Sequence, residues 1–578
     1  MNGIIYIKSS NYSEAIVENK FDQIYINGYE NIGNIFHGDY VNITNNKCNL
    51  IKSNISSKVL IGVLELYSKY KFKPNKRGVD TYNFVSLEKC YPNFLVSTTT
   101  KKKYSKNIIV TIKFLSWENT LPFGEIITIL GEIDNNDALY DGILYKYQLT
   151  KKYLKLDKNF INNLHDNYNI DQYNDITSYE VISIDPIGCK DIDDAMSFKE
   201  LDNNKIQLNI HITDVIGTLI YHNLHLLFLN DDLTTSIYAP HKILNMFPEF
   251  LSCGLLSLLP GKKRLVLTLS LIIQNNLIIS SSIIKNIIIN KYAFSYEDFE
   301  KKHFYNCKSK YYKIINIVKN LQYKNLYNKF YKHFDSHKFI EKLMIIFNCE
   351  SCKFILDNND NPVLRIHEKN LENENFKNID TELANFLQII NNKAAKYTIS
   401  NDQNYHYALD LSNYCHFTSP IRRYVDIYNH YLVHKILDKK FINFNLSINL
   451  EKINDTNKKI KKAEQCFSYI KLSQIITNQN KNDFVGYIYN YNDISKKISL
   501  YLPTYNLTLD KKIIQKKLID RYEINQNNNY LEILEKNTEK LIKYPLYELL
   551  NLKIYKIINN KIPYDKLILE IVSCHRMI

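Results

Sequence analysis

Between Ile182 and Met196 the chain reads ISIDPIGCKDIDDAM, which places Asp185, Asp191, Asp193 and Asp194 within ten residues. Four carboxylates this close repel one another strongly unless cations neutralise them. The apolar residues among them, Ile182, Ile184, Ile192, Ala195 and Met196, do not suit a plain solvated turn. Any fold that accepts this segment must bring the carboxylates to a place where they can share a cation. Pro186 and Gly188 make the first interval a turn, so Asp185 folds back towards residues 191–194. Carboxylate oxygens are hard ligands and favour Mg²⁺ or Mn²⁺ over zinc. Two such ions roughly 4 Å apart would flank a phosphate, one activating water and the other stabilising the leaving oxygen. A calcium loop starting at Asp191 fails, because Met196 would stand where glycine is required and Asp202 would take position 12.

Asn, Ile, Lys and Tyr are used so heavily that single lysines and tyrosines carry little information; Tyr alone occurs 46 times. The scarce residues carry more. Seven arginines (77, 264, 365, 422, 423, 521 and 576) stand against 67 lysines. Arginine is needed where a phosphate or carboxylate is gripped by two bonds, which lysine cannot copy. Arg422 and Arg423 are adjacent in HFTSPIRRY, and the pattern predicts them one or two residues into a helix that Ser419 caps. A phosphate there would meet both guanidinium groups and free backbone amides. The competing reading is an arginine paired with Asp426 in a structural network.

Tyr238, just before Pro240, is a rigid aromatic suited to stacking on an unpaired base. Its alternative is a core tyrosine. Cys349 and Cys352 form a lone CxxC on an expected helix with no second pair, which argues against zinc. His211 alternates with apolar neighbours and reads as structural. His416 and His430 read either as groups supporting the arginine segment or as satisfied helix histidines.

A length of 578 residues is a prior of about four domains. Short β-segments fill the chain to about residue 170, a mixed α+β body spans 171–480, and β-patterning returns after Phe484. Lys71–Val79 is the expected loop or linker between two N-terminal barrels. The stretch 265–289 is apolar but broken by Gln-Asn-Asn, Ser-Ser-Ser and Lys285, so it predicts two or three buried strands rather than a membrane span. A net charge of +14 favours a polyanionic partner. Ten scattered cysteines and no secretory pattern in MNGIIYIKSS point to a reducing, intracellular compartment, nucleus or cytoplasm.

DPIGCKDIDDAM, IHITDV, SIYAPHKILNMFPEFLS, SLLPGKKRL, LRIHE and HFTSPIRRYVD occur in an order that resembles the RNase II (RNB) exoribonucleases. The Gly188-Cys189 pair is similar to the eukaryotic branch, which includes the catalytic subunit of the RNA exosome. NIGNIFHGDYV and FLSWENTLPFGEIITILGEI, the latter holding the sole tryptophan, Trp117, resemble that branch's two cold-shock domains. The resemblance implies a multidomain chain: cold-shock OB barrels at 1–85 and 86–170, an α+β RNB catalytic domain at 171–480, and an S1-like OB domain at 481–578. It implies processive 3′→5′ hydrolysis of single-stranded RNA to nucleoside 5′-monophosphates. Asp185, Asp191, Asp193 and Asp194 match the Mg²⁺-binding aspartates, and Asp193 the one whose loss abolishes cleavage. Tyr238 matches the aromatic that stacks on the 3′-terminal base, and Arg422 the arginine at the scissile phosphate. Arg423 and Glu464 are further candidates for RNA contact, although Gln465 departs from the pattern. The exosome core is a candidate partner, and the PIN endonuclease domain of that subunit is not expected. The alternative is a catalytically silent RNA-binding or scaffold subunit; a DNA-directed relative is a third reading.

Overall fold

The apolar stretch 265–289 folds into a single hairpin of strands Lys263–Gln274 and Leu277–Ser295, joined by Asn275 and Asn276 alone. Both asparagines take positive φ, 51° and 60°. A two-residue turn between right-twisted strands requires that conformation, and asparagine tolerates it better than other side chains do. The computed structural model describes residues 1–70, 72–118, 120–166, 168, 170–230, 233–324, 334–368, 380–391, 394–399, 404–438, 444–492, 497–512, 522–526, 530–535, 540–557 and 566–574.

The hairpin closes the central sheet. In spatial order the strands are Asn174–Asp175, Leu277–Ser295, Val181–Asp185, Asp194–Glu200, Ile206–Thr213 and Lys263–Gln274, and the last pairs back onto Leu277–Ser295. Leu208, Ile210, Ile212, Leu267, Leu269 and Leu271 are buried in it. They share one apolar cluster with Leu343, Ile346 and Phe347 of helix Ser336–Asp357 and with Val425, Ile427 and Val433 of helix Tyr424–Leu437. Each such side chain contributes about 1.5–3 kcal/mol on burial. This α+β body fixes the end of the sheet from which the aspartates project.

Two β units precede it. The first is an antiparallel sheet of Asn2–Ile7, Glu14–Glu18, Gln23–Asn27, Tyr40–Thr44 and Lys47–Lys52. The second is a closed barrel of Val59–Leu64, Thr81–Ser86, Phe94–Ser97, Ile108–Ser116 and Phe123–Glu132. Strands 59–64 and 81–86 belong to this barrel, so the expected boundary at 85/86 falls inside it. The hydrogen bonds of Val59–Leu64 to Ile108–Ser116 decide the matter, and they join segments about fifty residues apart. Residues 72–79 are a loop within the barrel rather than a linker between barrels. Trp117 joins the two units, with its ring 4.8 Å from Phe36 and edge-on to Tyr12 at 5.8 Å.

Helix Asn136–Lys146, capped by the Asn135 side chain, leads out of the barrel. It packs Ala138, Leu139 and Ile143 between Ile61 and Ile109 of the barrel and Ala463, Phe467 and Ile470 of the long helix Leu450–Asn478. A C-terminal sheet of Asp483–Asn492, Lys497–Leu502, Leu507–Lys512, Leu549–Ile557 and Lys566–Cys574 follows, with a separate three-stranded sheet at 522–545. Among the described residues no helix is long and apolar enough to cross a membrane.

The hairpin makes a direct prediction. Asn276→Gly keeps the left-handed conformation open and should leave thermal stability unchanged or slightly raised. Asn276→Val must pay about 1–2 kcal/mol for the same backbone and should lower the first unfolding midpoint in a thermal melt. Equal midpoints for the two variants would show that the turn does not constrain the fold.

Candidate active site

Asp185 ends the strand Val181–Asp185, and Asp194 begins its antiparallel neighbour, with Ile182 opposite Met196. Both carboxylates therefore leave the same end of the sheet. The chain between them turns at Pro186–Cys189, where the Cys189 amide donates to the Pro186 carbonyl at 3.1 Å and Gly188 takes φ +78°. The far side of the loop is fastened down. The Ile192 amide donates to Ser257 Oγ at 2.9 Å, the Leu258 amide to the Ile192 carbonyl at 3.0 Å, and the Thr213 amide to the Asp193 carbonyl at 2.9 Å. Arg264 holds the Ser257 segment in turn, donating to the carbonyls of Ser257 (2.7 Å), Gly254 (2.8 Å) and Lys263 (2.8 Å).

Asp193 is the deepest of the four, 4% exposed. Its Oδ1 accepts the Ile421 amide at 2.9 Å, and its Oδ2 lies 3.4 Å from Arg422 Nε. Burial pushes its carboxyl up to about 7, against the pull of Arg422 and the Ile421 amide. Burial also raises Asp185 to about 6, opposed by the Ser183 hydroxyl and reinforced by Asp191. Asp194 rises well above the usual carboxylate range through burial and through Asp185 and Asp193. Tyr296, which sequence reasoning passed over among so many tyrosines, lines the same place. Burial and then the charges of Asp194 and Asp185 hold its phenol protonated, and its ring stacks on His337 at 3.9 Å.

This end of the sheet is short of positive charge. Asp185 Oδ2 is buried with no hydrogen-bond partner. Among the described residues no three His, Cys, Asp or Glu side chains converge as a finished metal site would. The donor set nonetheless fits a hard divalent cation: oxygen ligands only, mutual repulsion, and an unsatisfied buried oxygen that a cation would satisfy.

The arginine segment differs from the expectation. Helix Tyr424–Leu437 starts after both arginines, Arg423 is extended at φ −138°, and Ser419 does not cap the helix. The cause is a long-range contact. Residues 234–236 run against 422–424: Thr235 bridges Arg423, the Ser236 amide donates to the Arg422 carbonyl at 2.9 Å, and the Tyr424 amide donates to the Thr234 carbonyl at 2.9 Å. Extended pairing takes the place of the first helical turn. The two guanidinium groups then diverge. Arg422 reaches Asp193 and donates to Ser419 Oγ at 3.1 Å. Arg423 closes its fork on Asp426, at 2.8 and 2.7 Å, while Asp426 also accepts the Ser419 amide at 2.8 Å. The alternative of an Asp426 pair is thus realised by Arg423.

Tyr238 lies on the short strand Ile237–Ala239 and is 47% exposed. Burial of the rest of the ring raises its phenol, and the nearby charge of Arg422 opposes the shift. It faces a cleft of about 810 Å³ that is also lined by Tyr140, His241, Glu464, Phe467 and Lys471. Glu464 therefore shares one opening with Tyr238, although the two are far apart in the sequence. The weaker candidates are structural. His211 is fully buried between Ser197 Oγ (3.0 Å) and Thr268 Oγ1 (2.9 Å). His416 meets the Tyr397 hydroxyl at 2.8 Å, and His430 donates to the Phe417 carbonyl at 2.7 Å. Cys349 and Cys352 are buried in the core. Sequence reasoning missed Asp214, which caps helix Val215–Tyr221 and accepts from His434 (2.9 Å) and Tyr173 (2.6 Å) behind the sheet. The Asp before an apolar helical run was the available signal.

Residues 173–323 and 302–439 match the family model of the RNB domain, and residues 81–148 that of the Dis3-like cold-shock domain 2 (CSD2). Ribonuclease R of Chlamydia pneumoniae is 25% identical over 445 residues, covering 64% of this chain and 64% of its own. Exosome complex exonuclease RRP44 of Mus musculus is 22% identical over 475 residues, covering 67% of this chain and 48% of its own. This chain thus spans about half to two thirds of the length of these curated relatives. The apo form of Mycoplasma genitalium RNase R has a similar fold, with a TM-score of 0.73 at 18% identity over 99% of this chain and 100% of that one.

The raised carboxyls link stability to pH. Asp185 and Asp193 keep protons in the folded chain up to about 6 and about 7, whereas the unfolded chain has released them by about pH 4. The folded state binds more protons across that window, so stability falls as pH rises through it. Chelator-treated protein should melt at a lower temperature at pH 8 than at pH 5.5, and Asp193→Asn should shrink the difference. An added divalent cation should raise the melting temperature more at pH 8. A flat profile would mean that the carboxylates are already compensated.

Proposed function

The chain belongs to the RNase II (RNB) family, and on that premise we propose that it is a processive, hydrolytic 3′→5′ exoribonuclease of single-stranded RNA. The products are nucleoside 5′-monophosphates. One observation carries the reading: from three separate segments, Arg422 Nε comes within 3.4 Å of Asp193 Oδ2, and both charges bear on the Tyr238 phenol. Asp185, Asp191, Asp193 and Asp194 would hold Mg²⁺ or Mn²⁺, which when bound supplies an activated water and charge neutralisation at a phosphate.

The chain's own groups do the rest. Arg422, anchored by Asp193 and Ser419, presents its remaining donors to a phosphate brought to the aspartates. Tyr238, two residues along from the Ser236 amide that bonds the Arg422 carbonyl, offers a ring face on which the terminal base stacks. The 810 Å³ cleft beside Tyr238, with Tyr140, Lys471 and Glu464 in its walls, supports a path for the strand. Nine free thiols among the described residues support an intracellular setting. Docking on an exosome core is part of the proposal only through the likeness to RRP44.

Incubation with 5′-labelled single-stranded RNA and Mg²⁺, with and without EDTA, tests the function. A ladder that shortens from the 3′ end and stops with EDTA is expected; intact RNA in both arms would leave a binding subunit. Asp193→Asn should lose hydrolysis and keep RNA affinity. Arg422→Lys should be nearly as slow as Arg422→Ala, about 10²–10³ below wild type in single turnover, because a lysine cannot span carboxylate, hydroxyl and phosphate together. A fully active Lys variant would reduce Arg422 to a point charge.

A further inference from the structure

Lys151, like Lys342 in the core, is set against two backbone carbonyls rather than a carboxylate. Its ammonium is turned inward, where it donates to the carbonyls of Thr235 and of Asn245, the latter at 3.1 Å. Tyr153 donates its hydroxyl to the same Asn245 carbonyl at 2.8 Å. These two carbonyls flank the hairpin Ile237–Ala239/Lys242–Leu244, whose strands pair Tyr238 with Ile243. Ser236 Oγ closes the hairpin by accepting the Met246 amide at 2.8 Å. On its other edge the same segment meets the arginines: the Thr235 hydroxyl donates to the Arg422 carbonyl at 2.8 Å, beside the Ser236 amide at 2.9 Å.

We propose that Lys151 is a positioning residue of the active site, fixing from behind the strap that carries Tyr238 and fastens Arg422 against Asp193. The role rests on the functional reading above, because it gives the strap its work. An ammonium taken from water without a carboxylate partner is costly. Burial accordingly pushes Lys151 down to about 7. A leucine or methionine would fill the space without that penalty, so the two donors are what the position requires. The neutral amine still has two hydrogens for two carbonyls, and the clamp holds in either protonation state. Lys151 lies between the barrel's exit helix and the catalytic body, so the clamp also ties the preceding β unit to the reacting groups.

The test is a double-mutant cycle joined to hydrogen exchange. Lys151→Met should raise amide exchange about tenfold in 234–238 and 421–424 and leave 206–213 unchanged. It should lower the single-turnover rate about tenfold with little change in KM. In an Arg422→Ala background the same change should cost less than twofold, because the strap then has no guanidinium to place. Lys151→Arg should recover part of the rate, and Thr235→Val, which removes only the hydroxyl, should reproduce a smaller loss. If Lys151→Met does not fold, Lys151→Arg carries the cycle alone, with a partial loss of rate and a partial rise in exchange in 234–238 expected. Additive losses, or unchanged exchange in 234–238, overturn the proposal. Absence of any nuclease activity in the wild-type chain overturns the functional reading, and the exchange measurement still decides whether the clamp exists.

Discussion

A carboxylate buried at the end of a sheet must be answered by something, and much of this α+β body is arranged to answer Asp193. Its side chain meets an amide and a guanidinium from the segment 421–422. Its main chain is gripped by the neighbouring strand. To deliver Ile421 and Arg422, the chain gives up a helical turn and lays 422–424 against 234–236. The hairpin with Tyr238 is thereby set beside the arginine. Remove the need to pair Asp193 and none of these placements has a cause.

The chain's sparing use of arginine is explained by geometry. Among the described residues, Arg264 grips three backbone carbonyls, Arg423 holds a carboxylate with two parallel bonds, and Arg422 spans a carboxylate and a hydroxyl. Arg365 lies over the Tyr397 ring, its guanidinium carbon 4.5 Å from the centroid. A flexible ammonium could do none of these equally well. Arg77 shows no such engagement of its side chain, and Arg521 and Arg576 lie outside the described residues.

Local chemistry was legible in the sequence and long-range pairing was not. The acidic run, its turn at Pro186–Gly188 and the strands of 265–289 follow from spacing and side-chain type alone. The start of helix Tyr424–Leu437 could not be read, because the partner that keeps Arg423 extended lies at Thr235. The barrel edge near residue 59 was hidden for the same reason, since its strand is defined by pairing with Ile108–Ser116. Which arginine would take Asp426 was also undecidable, as both stand within helical reach of it. Ile421 contributes through a main-chain amide, and no side-chain pattern advertises an amide.

The distance along the chain between the aspartates and their arginine has a consequence for biosynthesis. Synthesis runs from the N-terminus, so the carboxylates of 185–194 emerge and can take their places in the sheet before Arg422 exists. At roughly 5–20 residues per second, the 228 residues from Asp193 to Ile421 occupy about 10–50 s. During that interval the emerging chain holds its acidic loop without the groups that seat a phosphate beside it. The pairing that seats Asp193 is completed only when residues 421–422 have left the ribosome.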